Sequence, residues 1–597
     1  MVYVKNVNKT TKRVFTFTYT QERSKTIIYQ QKRKLIMSKK LYLPLLLALL
    51  VVITGCKMGS MSSEDFSVTP NPLEVVGGKV DATITGVFPE KYFKKRVTVT
   101  VTPYLVYADG ETAGTPFVYQ GEKIEGNDQE IQYKMGGTIT MPVSFDYIPA
   151  MKKSELWLGF EVTNKKGTKT YSLERVKVAD GIIATAELAD VNKVKPAIAA
   201  DAFQRIINET CNADIMFLIQ QANIRSKQLK SEEMAALNAK VNETKSDDRK
   251  ELKGIEISSY ASPDGGYELN YKLAEKREDN TMKYLNKQLK KDTISTEVTG
   301  KFTAQDWDGF KTLVEKSSIQ DKELILRVLS MYNDPAQREK EIKNMSSTFK
   351  VLADEILPQL RYSRITASID LIGKSDEEIM ALVATDPKEL SVEELLYAGT
   401  LTSDKEQQLY IYAKAAEYFP NDFRAFNNAG MVCFEMGKFS DANAWFEKAA
   451  KISANSAQVQ MNQGLIALKE GNQEKAAQCF GNAASLEETK EATGVLYLEK
   501  GEYQKAVKAF GENKTNNAAL AQILVKDYAK ANNTLDAVAN PDAMTYYLKA
   551  VIGARTNNET ELAKNLRQAI NIDESLKAAA ATDIEFANYD ITGIIAE

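Results

Sequence analysis

One absence limits the chemistry open to this chain, because none of its 597 residues is histidine. The chain therefore lacks the usual general base for a serine or cysteine nucleophile and the commonest metal ligand. Its cysteines are Cys56, Cys211, Cys433 and Cys479, and their wide spacing supports neither a disulfide framework nor a zinc site. No glycine-rich phosphate loop is present. We expect no enzyme activity, no cofactor and no metal.

Cys56 is the cysteine with a distinctive context. It follows an uncharged apolar run, residues 41–55, and the run is preceded by Met-Ser-Lys-Lys at residues 37–40. The run is shorter than the roughly 20 residues of a membrane-spanning helix, and with its basic start it has the build of a secretory signal peptide. The alternative is a plain membrane anchor with an incidental cysteine. Residues 1–36 precede this complete signal, so we expect them to be a mis-called extension.

The sequence Thr54-Gly55-Cys56 resembles the lipobox of bacterial lipoproteins. The resemblance implies that the Cys56 thiol is acylated and that cleavage makes Cys56 the first residue of the mature chain. Several acyl chains on one residue anchor a protein stably, at about 0.8 kcal/mol per buried methylene. We therefore expect a lipid anchor in the outer membrane that faces the periplasm; the alternative is the cell exterior, and the residues just after Cys56 do not decide between the two.

Charge and length bound the rest of the mature chain. The whole sequence has 77 basic and 80 acidic residues, and residues 1–55 hold 11 basic and 1 acidic, which leaves a net charge of −13. This charge argues against nucleic acid as a partner. A mature chain of 542 residues is too long for one core, so we expect several domains. The predicted divisions are an extension at 1–36, a signal peptide at 37–55, a lipidated tether at 56–66, a β-sandwich at 67–190, an α/β domain at 191–373 and a helical-repeat domain at 374–597.

The first folded region shows the two-residue period of β-strands. Val97, Val99 and Val101 alternate with threonines, and similar patterns occupy residues 80–87, 137–145, 156–163 and 168–178. Residues 164–167, Asn-Lys-Lys-Gly, separate the last two strands as a hairpin turn does. Short strands with regular turns predict an all-β sandwich of immunoglobulin-like type.

Strands and helices alternate in the second region. Residues 215–219 are an apolar strand candidate, and Ser231 is placed to cap a helix with Met234, Leu237 and Val241 on one face. Residues 255–260 form a second strand candidate that ends at the turn sequence Ala-Ser-Pro-Asp-Gly-Gly. A long amphipathic helix follows, with its apolar positions at Leu269, Leu273, Leu285 and Leu289.

The string IEISSYASPDGGYELNYKLAEKREDNTMKYL, residues 255–285, resembles the central motif of OmpA-like domains. In that family a loop aspartate binds the ammonium of the diaminopimelate in peptidoglycan, and a helix arginine binds its carboxylate. A planar guanidinium suits this role because it holds a carboxylate bidentately. The resemblance places the arginine at Arg277 and the motif asparagine at Asn270. The family aspartate falls on Ser262, and Asp264 lies two positions later. The alternative for Arg277 is a solvated helix residue.

This region departs from the family after the motif. A helical insertion carries Trp307, Phe310, Leu313, Ile325, Leu326 and Leu329 at helical spacing, which indicates an added core layer. Alternating apolar residues at 362–372 predict the returning strand.

A repeat begins near residue 375, where strand patterns end. Gly430, Ala442, Phe446 and Ala449 recur 34 residues later as Gly464, Ala476, Phe480 and Ala483, a period and spacing that resemble tetratricopeptide repeats. A third copy, with Gly494, Ala506 and Phe510, is shifted by 30, which we attribute to a shorter connection before it. Tyr412 with Ala415, Ala531 with Leu535, and Leu562 with Leu566 extend the pattern to about five or six helix pairs.

Helical repeats of this kind build a concave groove that binds peptides or partner subunits. Asn427, Asn428, Asn462 and Gln463 fall on first helices and are candidates to line it, although each alone fits ordinary surface. The resemblances together imply a lipid-anchored scaffold or adaptor that contacts the cell wall through its OmpA-like domain and binds protein partners through its repeats. The alternative is a subunit of an envelope machine for secretion, fimbrial assembly or barrel insertion, without peptidoglycan binding.

Overall fold

A computed structural model describes residues 58–596. The predicted extension, the signal peptide and the lipidation site Cys56 lie outside the described residues. The described residues divide into two compact units, one of residues 58–189, 497–508 and 512–596, and the other of residues 190–496 and 509–511. Within the described part, no helix combines the length and hydrophobicity needed to cross a bilayer.

The strands and helices follow the order expected from the sequence periods. The strands are β1 (Phe66–Thr69), β2 (Leu73–Val76), β3 (Lys79–Phe88), β4 (Val97–Tyr107), β5 (Gly110–Ala113), β6 (Phe117–Gly121), β7 (Gln129–Ile131), β8 (Gly137–Asp146), β9 (Ser154–Asn164), β10 (Thr170–Asp180), β11 (Ile182–Ile183), β12 (Ile206–Met216), β13 (Lys250–Tyr260), β14 (Val298–Thr303) and β15 (Tyr362–Ile372). The helices before the repeats are α1 (Glu232–Glu243), α2 (Tyr267–Lys291), α3 (Trp307–Lys316), α4 (Lys322–Met331), α5 (Pro335–Asn344), α6 (Ser346–Val351) and α7 (Asp376–Thr385). Those that follow are α8 (Val392–Ala398), α9 (Lys405–Tyr418), α10 (Phe423–Glu435), α11 (Phe439–Ser453), α12 (Ala457–Lys469), α13 (Gln473–Asn482), α14 (Glu488–Glu499), α15 (Tyr503–Phe510), α16 (Asn516–Leu524), α17 (Tyr528–Asp536), α18 (Ala543–Arg555), α19 (Glu559–Ile572), α20 (Leu576–Ala581) and α21 (Thr592–Ala596).

Two sheets form the N-terminal region of the first unit. One sheet has the order β1-β3-β2-β11 with β8 also paired to β3, and the other has the order β10-β9-β4-β6-β7 with β5 paired to β4. Residues from both sheets, such as Ile84 and Val99, are fully buried in one hydrophobic core. The alternation of Val and Thr in β4 therefore places valine in the core, and the predicted β-rich region is confirmed.

The second unit begins with a four-stranded sheet of order β12-β15-β13-β14. The strand β15 runs antiparallel to β12 and β13, and β14 runs parallel to β13. Ser231 caps α1 by accepting a hydrogen bond from the Met234 amide at 3.2 Å, as predicted. The predicted strand at 215–219 is displaced: β12 ends at Met216, and Leu218 and Ile219 are exposed because the chain leaves the sheet there.

The buried face of α2 differs from the predicted leucine stripe. It consists of Asn270, Ala274, Arg277, Thr281, Leu285 and Leu289, while Leu269 is 51% exposed. The first turns of the helix lie against a polar loop, so a polar face is buried there and the leucine beside it points to solvent. The predicted core layer of the insertion is confirmed, because Trp307, Phe310, Ile325 and Leu329 share one cluster.

Helices α8 to α19 form six successive pairs, as the repeat pattern predicts. Within three of the pairs a glycine on the first helix makes room for an aromatic ring on the second. A Cβ at Gly430 would lie 2.6 Å from Phe446, and Cβ atoms at Gly464 and Gly494 would lie 2.5 Å from Phe480 and Phe510. Only glycine permits this close approach of helix and ring.

The shift from 34 to 30 residues has a different cause from the one we expected. The helix α13 has 10 residues where α11 has 15, whereas the connection after α13, residues 483–487, is longer than the connection at 454–456. The predicted shorter connection is therefore wrong, because the second helix itself is shortened by more than the whole shift.

Candidate functional site

The predicted wall-binding residues lie where β13 ends and α2 begins. Ser262 and Asp264 are in the loop between these elements, and Asn270 and Arg277 are on the buried face of α2. The Asn270 amide donates to the Ser262 carbonyl at 3.0 Å and to the Gly265 carbonyl at 2.8 Å. Asn270 therefore fixes the shape of the loop.

The guanidinium of Arg277 is fully buried and is held by main-chain carbonyls. Its Nε donates to Gln221 at 3.0 Å, and its two terminal nitrogens donate to Tyr260 at 2.7 Å and to Leu218 at 3.3 Å. Burial lowers the pKa of Arg277 to about 10, aided by repulsion from Arg361 and opposed by attraction to Asp264. The alternative of a solvated Arg277 is wrong, and the arginine ties α2 to the chain after β12.

Asp264 already has a cationic partner that the sequence did not reveal. Arg361, directly before β15, donates to the Asp264 carboxylate at 3.1 Å and to the Ser262 hydroxyl at 3.0 Å. Ser262 in turn donates to Asp264 at 2.5 Å. Buried Ser262 thus lies between an arginine and a carboxylate, so the polar groups of the loop bind one another.

A cavity beside Asp264 and Trp307 has a volume of about 10 Å³, which is room for one water molecule. A sugar or peptide ligand therefore needs the loop to open. The structure brings Ser262, Asp264 and Asn270 together, and it commits the Arg277 donors to carbonyl oxygens. Peptidoglycan binding through these four residues stays a prediction.

A different arrangement in the second unit has the features of an occupied binding site. Residues 194–203, here called the linker segment, have no helix or strand of their own and lie along the first helices of the repeats. Ala197 and Ala199 are buried while Ile198 and Ala200 are exposed, the alternation of an extended chain lying on a surface. The repeats thus bind a peptide that belongs to the same chain.

Three asparagines, here called the asparagine ladder, hold the main chain of this segment. The Asn462 side chain accepts from the Ala197 amide at 2.7 Å and donates to the Ala197 carbonyl at 2.8 Å. Asn428 makes the same pair of bonds to Ala199, at 2.8 and 2.9 Å. Asn427 donates to the Ala197 carbonyl at 3.0 Å. A carboxamide has one acceptor and one donor side, so it satisfies both main-chain groups of one residue.

An ion pair continues the contact toward the first repeat. The Glu393 carboxylate accepts from the Ala202 amide at 2.6 Å and is bound by Arg424, which also donates to the Ala200 carbonyl at 3.4 Å. The hydrogen bond from Arg424 lowers the pKa of Glu393, so this carboxylate stays charged. Phe203 then stacks on Tyr397 with ring centres 4.4 Å apart.

The three ladder residues line the binding surface of the first helices, as expected for groove residues, and the alternative of ordinary surface is wrong. Their exposure is 0 to 1% because the linker segment covers them. A signal was available in the sequence, since Asn428 and Asn462 are separated by the repeat period of 34 and so occupy one position of successive first helices. Nothing in the sequence marked residues 194–203 as their partner.

Comparisons with known proteins give one family match within the helical repeats. Residues 423–456 match the family model for the tetratricopeptide repeat, which covers α10 and α11. None of the curated proteins compared matches this chain. A solved tetratricopeptide repeat protein from Parabacteroides merdae is 15% identical, with 35% of this chain and 91% of that chain covered and a TM-score of 0.29. The solved structure of Pseudomonas aeruginosa PilF is 16% identical, with 37% and 100% covered and a TM-score of 0.26.

The repeat region is therefore a tetratricopeptide-type helical fold, a class that presents concave binding surfaces to protein partners. Among the described residues, no group of three or more cysteine, aspartate or glutamate side chains is arranged to hold a metal ion.

Proposed function

We propose that this chain is a lipid-anchored adaptor of the outer membrane that binds a protein partner through its helical repeats. The observation that carries the proposal is the asparagine ladder, because its carboxamides already bind an extended peptide through main-chain atoms. Such bonds form with any polypeptide that can lie in the groove. The lipid anchor rests on Cys56 and its signal-like context in the sequence.

The adaptor role is non-enzymatic. It is supported by the lack of histidine and by the involvement of Asp264, Arg361 and Arg277 in internal contacts rather than in an open cleft. The net charge of −13 for the mature chain favours protein partners over nucleic acid. We place the folded body in the periplasm.

The anchoring half of the proposal is tested by expressing the wild type and Cys56→Ser in a Gram-negative host with an alkyne fatty acid. We expect the wild type to carry the label and to fractionate with the outer membrane, and Cys56→Ser to lose both properties. Cys211→Ser is the matched control and should behave as wild type. An unlabelled wild-type chain in the cytosol contradicts the proposal.

Wall contact is a separate part of the proposal. The contacts within the loop between β13 and α2 determine which residues a wall ligand would bind. The donors of Arg277 are committed to three carbonyls, so a ligand that enters the loop meets Asp264 and Arg361 first. Co-sedimentation with purified sacculi tests this, comparing wild type with Asp264→Asn and with the exposed control Glu268→Gln. Retention that only Asp264→Asn lowers supports wall contact. Equal retention of all three chains removes the loop with Asp264 from the contact, and no retention of any chain removes wall contact.

A further inference from the structure

The hydrogen bonds between the linker segment and the repeats use main-chain atoms of the segment, which every polypeptide has. Five of the hydrogen bonds from the asparagine ladder go to the amide or carbonyl groups of Ala197 and Ala199. The side chains that face the ladder are methyl groups, which are 1% and 2% exposed. The ladder therefore selects for small residues at the positions of Ala197 and Ala199, and its hydrogen bonds do not depend on which residues stand between them.

The asparagine that binds both main-chain groups of one residue occurs in two successive repeats and not in the third. Asn428 and Asn462 are equivalent by the 34-residue period, and the corresponding position of the third copy, 30 residues later, is Ala492. Toward the first repeat the contact ends with Glu393 and the stacking of Phe203 on Tyr397. The contacts of a ligand of the same kind thus extend over seven residues, from the position of Ala197 to an aromatic residue at the position of Phe203.

The linker segment is covalently joined to the repeats whose asparagine ladder it occupies. A tether of this type gives a local concentration in the millimolar range, so even a weak peptide contact stays formed without a competitor. A partner with a better matching sequence can replace it, because the bonds that the segment loses are remade by the partner.

From these contacts we propose that the asparagine ladder is the partner-binding site of the repeats and that the linker segment occupies it in the absence of a partner. The partner is an extended polypeptide segment with alanine, or another small residue that keeps its amide hydrogen, at the two alternate positions that face the ladder, followed by an aromatic residue. This inference rests on the proposed adaptor function and adds the class of ligand and the way in which the site is closed.

The test uses the full-length chain in detergent and a fluorescein-labelled peptide of the sequence VKPAIAADAF, residues 194–203. Ala199→Asp places a charge against the buried ladder and should expel the segment, whereas Ala200→Asp changes the adjacent exposed residue. We expect Ala199→Asp to bind the peptide at least tenfold more tightly than the wild type, and Ala200→Asp to bind as the wild type does. Equal affinity of the three chains, or no binding by any of them, overturns the proposal.

Hydrogen exchange of the unmodified chain gives a second reading that does not depend on the folding of a variant. Peptide at about 1 mM competes with a tether of millimolar effective concentration, so it should accelerate exchange at residues 194–203. A peptide with aspartate at the positions of Ala197 and Ala199 should not. No acceleration by the matched peptide contradicts the inference. Envelope partners that cross-link to the chain without any peptide binding would leave the adaptor function standing and remove this inference alone.

Discussion

The buried glycines of the repeats show how one missing carbon decides the packing of a helix pair. A Cβ at Gly464 would lie 2.5 Å from the buried ring of Phe480, whereas a Cβ at Gly481, in the same pair, would meet no atom within 4 Å. A side chain therefore has no room at Gly464, whereas the exposed Gly481 faces open space.

We expect Gly464→Ala to lower the free energy of unfolding by about 1–3 kcal/mol, because the ring must move in a packed core. Gly481→Ala should be neutral or raise it by up to about 1 kcal/mol, because alanine favours the helix. Urea unfolding of both variants measures the difference. Shifts of the same sign and size would contradict the packing described for this pair.

Glu499 is an acidic residue whose titration affects stability. Burial raises its pKa to about 7, and the nearby Glu187 carboxylate adds to the effect. The pKa of Glu187 is also raised by burial. The folded chain therefore favours protonated Glu499 more than the unfolded chain does, so stability is highest below the ordinary glutamate range and falls as the pH rises through about 7.

Glu499→Gln should remove this dependence, because glutamine stays neutral. We expect the variant to exceed the wild type in unfolding free energy by about 1–2 kcal/mol at pH 8 and by much less at pH 4.5. Thermal unfolding at both pH values measures the gap, and Glu574→Gln, with its 85% exposed side chain, is the control. A gap that is the same at both pH values would show that Glu499 does not titrate as described.

At the scale of elements, the long helix α2 shows what periodicity predicted and what it missed. Its position and length follow from the pattern, and Leu285 and Leu289 are buried as expected. The N-terminal half buries Asn270 and Arg277 instead of Leu269, because the loop after β13 offers carbonyl groups that need donors. A pattern of apolar residues cannot reveal a helix face that is stabilised by hydrogen bonds.

Arg277→Lys tests this account of α2. A lysine keeps the charge but cannot reach three carbonyls in different directions, so we expect a loss of at least about 2 kcal/mol in unfolding free energy. The exposed neighbour Lys276, changed to Arg, should have an effect within about 0.5 kcal/mol. Wild-type stability of Arg277→Lys would mean that the carbonyl contacts contribute little.

The linker segment is the element that the sequence could not place. Its residues have no helical or strand period, and its position depends on the asparagine ladder more than 200 residues away. We expect Asn462→Ala to raise hydrogen exchange at the Ala197 amide and Asn428→Ala to raise it at the Ala199 amide. Gln463→Ala should change neither. Exchange that rises equally at both amides in every variant would indicate general unfolding instead of separate contacts.

At the scale of the molecule, the alternation of the β-region and the repeat period predicted an N-terminal β-rich region and a C-terminal region of helical repeats. The two compact units could not be predicted in this way, because they depend on contacts between distant parts of the chain. Some of the repeat helices belong to one unit and some to the other. The predicted domain boundary at residue 374 marks a change of sequence period, and it does not coincide with a boundary between the compact units.

The segment-bound face of the repeats is formed by first helices, since Glu393, Arg424, Asn428 and Asn462 all lie on them. The most direct test of the adaptor account is a photo-activatable cross-linking residue placed in living cells at Gln463, on the first helix α12, or at exposed Ala444, on the second helix α11. We predict that Gln463 cross-links an envelope protein and that Ala444 does not. Cross-links from Ala444 alone, or from neither position, would contradict the claim that the repeats bind a partner on this face.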